Sequence, residues 1–316
     1  MMVNTAQLAD HEGQKITIQG RLVGLKQCLG KNGHRYYRLK LADSFGSIKA
    51  YVWPDAPIYD FVDTIHVEEQ HLVELCGRVT LLNGHFLLKL NDLYLVSPSH
   101  VPNGAALLPL PIVPVRARAA LDWLIAFTDG LCNEALRSFM TAILVDPTIG
   151  HRFIRSRASG SYHRAYPGGL IVHSVEVAQL AGQWAQLLGE SQLSIEMIMV
   201  GALIHDLGKI DTVGEKNPRP LNPSLYQHET QTIHLLSPHI NRLIEVARIE
   251  GMVISHLVGR FASPKHFRAQ TMAEELIRFA DQASAGHQQR KTIEQFIKRL
   301  PQQPCHDDDG LKCWAN

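Results

Sequence analysis

Apolar and polar positions alternate in short runs over the first hundred residues, which is the pattern of antiparallel strands with one buried face. The runs predict strands at 16–28, 34–41, 47–53 and 72–82, and a fifth strand after the hairpin signal Asn83-Gly84. Turns are predicted at 30–33 and 43–46, and a polar stretch of helical character at 59–69. Five strands with a helix between the third and the fourth predict an OB-fold barrel.

Strands two and three predict an inner and an outer barrel face, because successive side chains alternate. The inner set is Tyr37, Leu39, Leu41, Ile48, Ala50 and Val52. The outer set is Tyr36, Arg38, Lys40, Lys49, Tyr51 and Trp53. Rings interleaved with cations suit a single nucleic-acid strand, since bases stack on rings and cations contact phosphates. An ordinary solvated face or a protein-binding barrel fits the same pattern.

Prolines crowd the stretch that follows the barrel, and we interpret 101–114 as a linker. Beyond it the apolar spacing is helical to about residue 300 and indicates seven or eight helices. We therefore expect a multi-domain protein in which an all-β OB-fold barrel (1–100) precedes an all-α helical bundle (115–300). The tail, 301–316, is expected to be disordered.

Composition narrows the class of protein. Hydrophobic residues make up 45% and charged residues 19% of the 316 residues, which is typical of globular chains. A formal net charge of +1 gives no global attraction to nucleic acid, so such binding must come from a local patch. Five scattered cysteines argue against a disulfide framework, and no apolar run is long enough to span a membrane. These features predict a cytoplasmic protein without a membrane partner.

Three of the predicted helices carry histidine or aspartate among apolar residues. His173 follows the helix start at Pro167-Gly168-Gly169; His205 and Asp206 lie in a helix over 195–207 that Gly208 ends; Asp281 closes a helix over 273–281. Alone, each fits a hydrogen-bonded core histidine or a charge at a helix end. An unpaired carboxylate deep in an apolar helix costs several kcal/mol, however, and metal ligation compensates it.

These four residues resemble the pattern of the HD superfamily of metal phosphohydrolases: an isolated His, an adjacent His-Asp pair and a late Asp. With the barrel, the chain resembles more narrowly the YhaM family of 3′-5′ exoribonucleases. The likeness covers most of the chain and runs through 162–170, 201–209, the pair His228-Glu229, 254–256, 263–265 and the helix of Asp281. The chain departs from that family at Arg164 and Leu257, where the family usually has the second histidine of a pair.

The resemblance implies a divalent metal centre built from His173, His205, Asp206 and Asp281. It also implies that His228 and His256 are the extra ligands of a two-metal site. It favours manganese, although the ligand types also suit cobalt, iron, zinc or nickel. The site could hold one ion or two. Lys209 and His163 are candidates for phosphate contact or leaving-group protonation. A charge-neutralising Lys209 and a solvated His163 are the alternatives.

The resemblance further implies hydrolysis of single-stranded RNA from the 3′ end to nucleoside 5′-monophosphates, with single-stranded DNA as a second candidate substrate. Metal ions bridged by Asp206 would lower the pKa of the attacking water. One alternative is a DNA-processing nuclease, because the sequence around 168–174 is similar to the HD domain of some conjugative relaxases. Another is a non-catalytic adaptor that binds nucleic acid or a nucleotide. The oligomeric state stays open, a homo-oligomer included.

Overall fold

In the computed structural model the described residues are 2–30, 33–64, 71–97, 101–161, 164–216, 226–261 and 269–287. The first part of the chain forms six strands and one short helix. They are β1 (Met2–Val3), β2 (Lys15–Leu29), β3 (Arg35–Asp43), β4 (Gly46–Val52), α1 (Tyr59–Thr64), β5 (Leu72–Leu82) and β6 (His85–Leu95). The predicted strands and the helix between the third and the fourth are confirmed. The sequence did not predict β1, which pairs with β2 in parallel, or the 3-10 turn Thr5–His11 that follows it.

The sheet closes into a barrel. Its strand order is β1-β2-β3-β4-β6-β5, and β5 pairs back to β2. The long strand β2 makes this possible, because it pairs with β5 over 15–21 and with β3 over 21–29. Gly20 lies where the partner changes, and a Cβ there would be 2.8 Å from the backbone oxygen of Ala42. This closed order is that of an OB fold.

The inner and outer faces follow the predicted alternation. Tyr37 and the predicted inward residues of β3 and β4 are buried in one hydrophobic cluster. Arg38, Lys40 and Lys49 are exposed on the opposite face, and Tyr51 pairs with Arg38 across the two strands. The barrel core therefore fixes which side chains face outward.

The proline-rich segment after the barrel is folded. It forms 3-10 turns at Ala105–Leu107, Leu110–Ile112 and Val115–Ala117. Pro109 and Pro114 directly precede the second and the third turn, and Pro111 lies near the start of the second, where a backbone N–H has no partner within the turn. Leu108 and Val113 are buried in the core of the helical region. Predicted as a linker, the segment packs against that core, and the domain boundaries themselves stay a prediction.

Nine helices follow within the described ranges, against the seven or eight expected, because two of them are very short. Their bounds are α2 (Arg118–Gly130), α3 (Glu134–Val145), α4 (Gly150–Arg155), α5 (Gly169–Leu187), α6 (Gln192–Ile204), α7 (Lys209–Thr212), α8 (His228–Val246), α9 (Arg248–Phe261) and α10 (Met272–His287). None of the helices described has the length and apolar character needed to cross a membrane. The predicted tail, 301–316, lies outside the described residues.

The helix α5 lies at the centre of the helical region and packs against α6 and α10. Several of its buried residues are small, including Ala178 and Ala181. Gly182 lies against α6, and a Cβ there would be 2.6 Å from the sulfur of Met199. The glycine thus lets the two helices approach closely.

One buried side chain connects the barrel to the helical region. The guanidinium of Arg21, on β2, donates to the backbone oxygens of Leu144 (3.2 Å) and Val145 (2.9 Å), the last carbonyls of α3. Arg21 is 1% exposed; burial lowers its pKa to about 10, although the charge of Asp146 raises it. The cation therefore binds the negative end of the α3 dipole.

Asp146 connects the end of α3 to α8. One carboxylate oxygen lies 3.1 Å from Nε2 of His239, and the other accepts from the backbone N (2.7 Å) and hydroxyl (2.6 Å) of Thr148. The hydrogen bond from His239 and those from Thr148 lower the pKa of Asp146 to about 2, against the effect of burial. Asp146 thus helps to hold α8, which carries His228.

We expect Asp146→Asn to lower the free energy of unfolding by about 1 kcal/mol at pH 7, because the amide keeps an acceptor for Thr148 but loses the charge. The contribution of a carboxylate with a lowered pKa is complete above its ordinary pKa of about 3.9 and is lost as the pH falls towards the folded-state value. Urea denaturation at pH 7, 4 and 3 measures it. Asp55→Asn, in the exposed pair with Lys89, is the control and should change little. A difference for Asp146→Asn that stays constant with pH would contradict the assignment.

Candidate metal centre

Two histidines and two aspartates converge in the helical region. One donor atom from each of His173, His205, Asp206 and Asp281 lies within 4.8 Å of the others. His173 Nε2 is 3.1 Å from Oδ1 of Asp281 and 3.3 Å from Oδ2 of Asp206. His205 Nε2 is 3.2 Å from the same Asp206 oxygen and 3.8 Å from that of Asp281. The structure therefore brings together the four residues that the sequence predicted as the core ligands.

Each ligand has a distinct structural support. His173 lies in the second turn of α5 and is fully buried, while Asp281 comes from α10 and is partly exposed. The predicted helix over 195–207 ends at Ile204, so His205 and Asp206 lie in the turn between α6 and α7. Consecutive residues of a regular helix point about 100° apart. The turn allows both side chains to face one centre.

The charges of the site depend on one another. Burial lowers the pKa of His205, but the charge of Asp206 and hydrogen bonds to Asp206 and Asp281 outweigh it and raise the pKa to about 10. The pKa values of Asp206 and Asp281 lie below their ordinary range in spite of burial, because His205 and His173 face them. Without a metal ion, a protonated His205 therefore balances the carboxylates. Binding of a divalent ion would replace that proton.

The donor set fits a divalent transition ion. Imidazole nitrogens and carboxylate oxygens are ligands that suit manganese, iron, cobalt and zinc. The site contains two of each and lies among the buried residues of the helical core. The chemistry of these side chains is therefore that of a metal centre.

Asp206 faces a different set of residues with each oxygen. Oδ2 faces the two histidines and also contacts Nζ of Lys209, one turn further along the chain. Oδ1 lies 3.2 Å from Nε2 of His228. His228 is thus placed next to the cluster, on the far side of Asp206, and its Nδ1 is 3.2 Å from Oε2 of Glu229.

Gly208 allows His228 to come this close. The backbone N of Gly208 donates to the hydroxyl of Thr232 at 2.8 Å, and a Cβ at Gly208 would lie 1.9 Å from the backbone oxygen of His228. The first turn of α8 therefore rests directly on the turn that carries Asp206. Sequence reasoning recognised Gly208 only as a helix stop and missed Thr232.

His256 is not brought to the cluster. Its Nε2 lies 2.6 Å from Oε1 of Glu274, whose other oxygen accepts from Arg260 at 3.2 Å and from the backbone N of Gln270 at 3.0 Å. Glu274 lies in the first turn of α10, so its contact with His256 joins α9 to the start of α10. The role of His256 as a metal ligand stays a prediction, and its placement in the structure does not support it. His163 lies outside the described residues.

The outer barrel face forms an aromatic group. The ring of Tyr36 lies 4.8 Å from that of Trp53 and 6.0 Å from that of Tyr51, measured between centroids. Tyr51 and Trp53 are 5.9 Å apart, with ring planes only 10° from parallel. Lys40 and Lys49 are opposite each other on the same pair of strands. The six predicted residues therefore form one surface of rings and cations.

Known proteins resemble the helical region and the barrel of this chain separately. The family model of the HD domain matches residues 170–286, which include all four clustered residues. The chain contains an HD domain. Beyond this domain, the chain is homologous at low identity to the YhaM exoribonucleases over about 75–80% of its length.

Two of these relatives carry the name 3′-5′ exoribonuclease YhaM. The protein of Geobacillus sp. (strain WCH70) is 20% identical over 80% of this chain and 77% of its own length. That of Bacillus subtilis (strain 168) is 24% identical over 75% of this chain and 74% of its own length. Among solved structures, a domain of replication protein A from Methanococcus maripaludis matches 31% of this chain and 97% of its own, at 18% identity and a TM-score of 0.25.

We expect Gly208→Ala to lower the free energy of unfolding by about 1–3 kcal/mol, because the new methyl group forces α8 away from the turn. Gly130→Ala, at the exposed end of α2 where a Cβ meets nothing within 4 Å, is the matched control. It should stay within about 0.5 kcal/mol of the unmodified protein. Urea denaturation compares the two. Equal stability of both variants would show that α8 does not rest on Gly208.

Proposed function

We propose that this protein is a metal-dependent 3′-5′ exoribonuclease that hydrolyses single-stranded RNA to nucleoside 5′-monophosphates. One observation carries the proposal: a single chain joins an HD domain with a buried cluster of two histidines and two aspartates to a barrel with an outward face of rings and cations. Relatives named as 3′-5′ exoribonucleases, which match most of the chain, support it.

Four residues of the HD domain would bind the metal ion. His173 and His205 would hold a divalent ion through Nε2, and Asp281 and Asp206 would hold it through carboxylate oxygens. When bound, the ion supplies Lewis-acid chemistry: it lowers the pKa of water and stabilises charge on phosphoryl oxygens. Manganese is the ion that we propose, on the resemblance to the YhaM exoribonucleases.

Asp206 has the central catalytic role in this proposal. Its two oxygens face different residues, with His173 and His205 at Oδ2 and His228 at Oδ1. A carboxylate in this position can serve two ions, and His228 would then be a ligand of the second. Lys209 contacts Oδ2 and would balance negative charge there or contact the phosphate of the substrate.

The barrel would bind the strand. Tyr36, Tyr51 and Trp53 offer three ring faces for bases, and Arg38 and the two lysines of the same face would contact phosphates. Stacking of this kind needs unpaired bases, so a single strand is the substrate that fits.

The cellular location that we propose is the cytoplasm. The scattered cysteines, of which Cys28, Cys76 and Cys132 are free thiols in the structure, suit its reducing environment.

We expect the purified protein with Mn²⁺ to shorten a 5′-labelled single-stranded RNA progressively from its 3′ end, with nucleoside 5′-monophosphates as the product. His205→Ala should lose bound metal, measured by atomic emission, and should lose activity by at least about 100-fold. A DNA strand of the same sequence distinguishes an RNase from a DNA-processing nuclease. A full-length RNA after incubation with the metal-loaded protein would overturn the proposal and favour a non-catalytic adaptor.

We expect Trp53→Ala to weaken binding of a fluorescent single-stranded RNA by about 1–3 kcal/mol, because one stacking partner is removed. Fluorescence anisotropy in the presence of EDTA measures binding without cleavage. Tyr94→Ala, which removes an exposed ring of β6, is the matched control and should bind RNA as the unmodified protein does. Equal loss of affinity in both variants would contradict a specific role for the aromatic face.

A further inference from the structure

A chain of hydrogen bonds starts at the side of His173 that faces away from the metal centre. Nδ1 of His173 lies 2.9 Å from the hydroxyl of Ser284, which donates to Oε2 of Glu176 at 2.9 Å. The guanidinium of Arg164 contacts the same carboxylate oxygen and also donates to the backbone oxygen of Ser284 at 3.1 Å. This hydrogen-bond network thus joins the loop before α5 to the helices α5 and α10.

The direction of these bonds follows from what each group can do. A carboxylate only accepts, so Ser284 donates its single hydroxyl proton to Glu176. The oxygen of Ser284 must then accept from His173, and Nδ1 of His173 carries a proton. A neutral imidazole protonated at Nδ1 has its lone pair on Nε2, which is then free to bind a divalent ion. In His173 this atom lies 3.1 Å from Asp281 and 3.3 Å from Asp206, whose oxygens only accept, so the lone pair fits this position when a divalent ion is bound.

The second histidine of the cluster is held differently. Nδ1 of His205 lies 2.7 Å from the backbone oxygen of Ala202, which can only accept. The main chain therefore holds a proton on Nδ1 of His205, independently of any other side chain. At His173 the Nδ1 proton depends instead on side chains, and so on the residues at positions 164, 176 and 284.

Arg164 is held firmly in this position. It is 6% exposed and has a φ of 49°, in the left-handed region that non-glycine residues seldom adopt. Its backbone oxygen accepts from the backbone N of Ala158 at 3.2 Å. Gly169, the first residue of α5, lies against that oxygen, and a Cβ there would be only 2.1 Å away. The glycine before the first ligand therefore makes room for Arg164.

Helical spacing links the network to the register of α5 and α10. Glu176 follows His173 by three residues, and Ser284 follows Asp281 by three residues, so each pair shares one helix face. The bonds between Glu176, Ser284 and His173 thus set the same contact that places Asp281 opposite His173.

We propose that Arg164, Glu176 and Ser284 form a positioning unit that fixes the Nδ1–H tautomer of His173 and turns its Nε2 towards the divalent ion. None of the three contacts a ligand atom that faces the metal centre, so they are positioning residues. The inference rests on the metal centre of the proposed function and not on the RNA substrate.

The test is Ser284→Ala, which removes the acceptor for the Nδ1 proton. In the protein labelled with ¹⁵N-histidine and loaded with diamagnetic Zn²⁺, the Nδ1–H proton of His173 should give a slowly exchanging resonance, and Ser284→Ala should lose that resonance to exchange with water. The affinity for Mn²⁺, measured by competition with a chelating dye, should fall about 10–100-fold. Ser284→Thr keeps the hydroxyl and should restore both the resonance and the affinity.

The matched control is Ser174→Ala, which removes a buried hydroxyl next to His173 that takes no part in the network. Its Mn²⁺ affinity should stay within about twofold of that of the unmodified protein. A Ser284→Ala protein that keeps the slowly exchanging Nδ1–H resonance overturns the inference, as does an equal loss of affinity in both alanine variants. If the unmodified protein binds the ions but leaves RNA intact, the proposed function fails, while the resonance and the affinities still decide the inference. If it binds neither ion, both fail.

Discussion

The buried carboxylate of Asp206 is the group on which the arrangement of the helical region depends. At 5% exposure it would cost several kcal/mol if nothing compensated its charge. The compensation comes from separate elements: His173 from α5, His205 from the neighbouring turn position, Lys209 from α7 and His228 from α8. Each element must approach Asp206 closely, so the position of one carboxylate constrains the packing of several helices.

Close approach in turn depends on residues without side chains at the contacts. Gly208 lets the first turn of α8 rest on the turn of Asp206, and Gly169 leaves room for the backbone of Arg164. Gly182 does the same between α5 and α6. These three glycines have no chemistry of their own. They convert a bundle of ordinary helices into one in which polar groups from distant parts of the chain reach a common point.

Much of the fold could be predicted from the sequence because its signals are local. Alternation gave the barrel strands to within two residues, for example 72–82 for β5, and the same alternation separated Tyr36 and Tyr51 from the core. The core ligands were predictable because their order along the chain resembles the HD pattern, and because an unpaired carboxylate in an apolar segment costs free energy that metal ligation compensates. Local signals do not give the rotation of a helix about its axis. His256 is on a helix as expected, yet tertiary packing turns it to Glu274. The partners Ser284 and Glu176 were missed for the same reason, although their three-residue spacing from Asp281 and His173 was visible.

The contact of Arg21 with the end of α3 would make cleavage depend on the length of the substrate. A buried guanidinium bound to two main-chain oxygens leaves the barrel little freedom to swing against the helices at that point. If the barrel binds the strand as proposed, the distance along the strand from the aromatic face to the metal centre would therefore be constant. An oligonucleotide shorter than this distance could occupy only one end of it at a time. Cleavage would become inefficient below a threshold number of nucleotides, and that threshold would report the distance built into the fold.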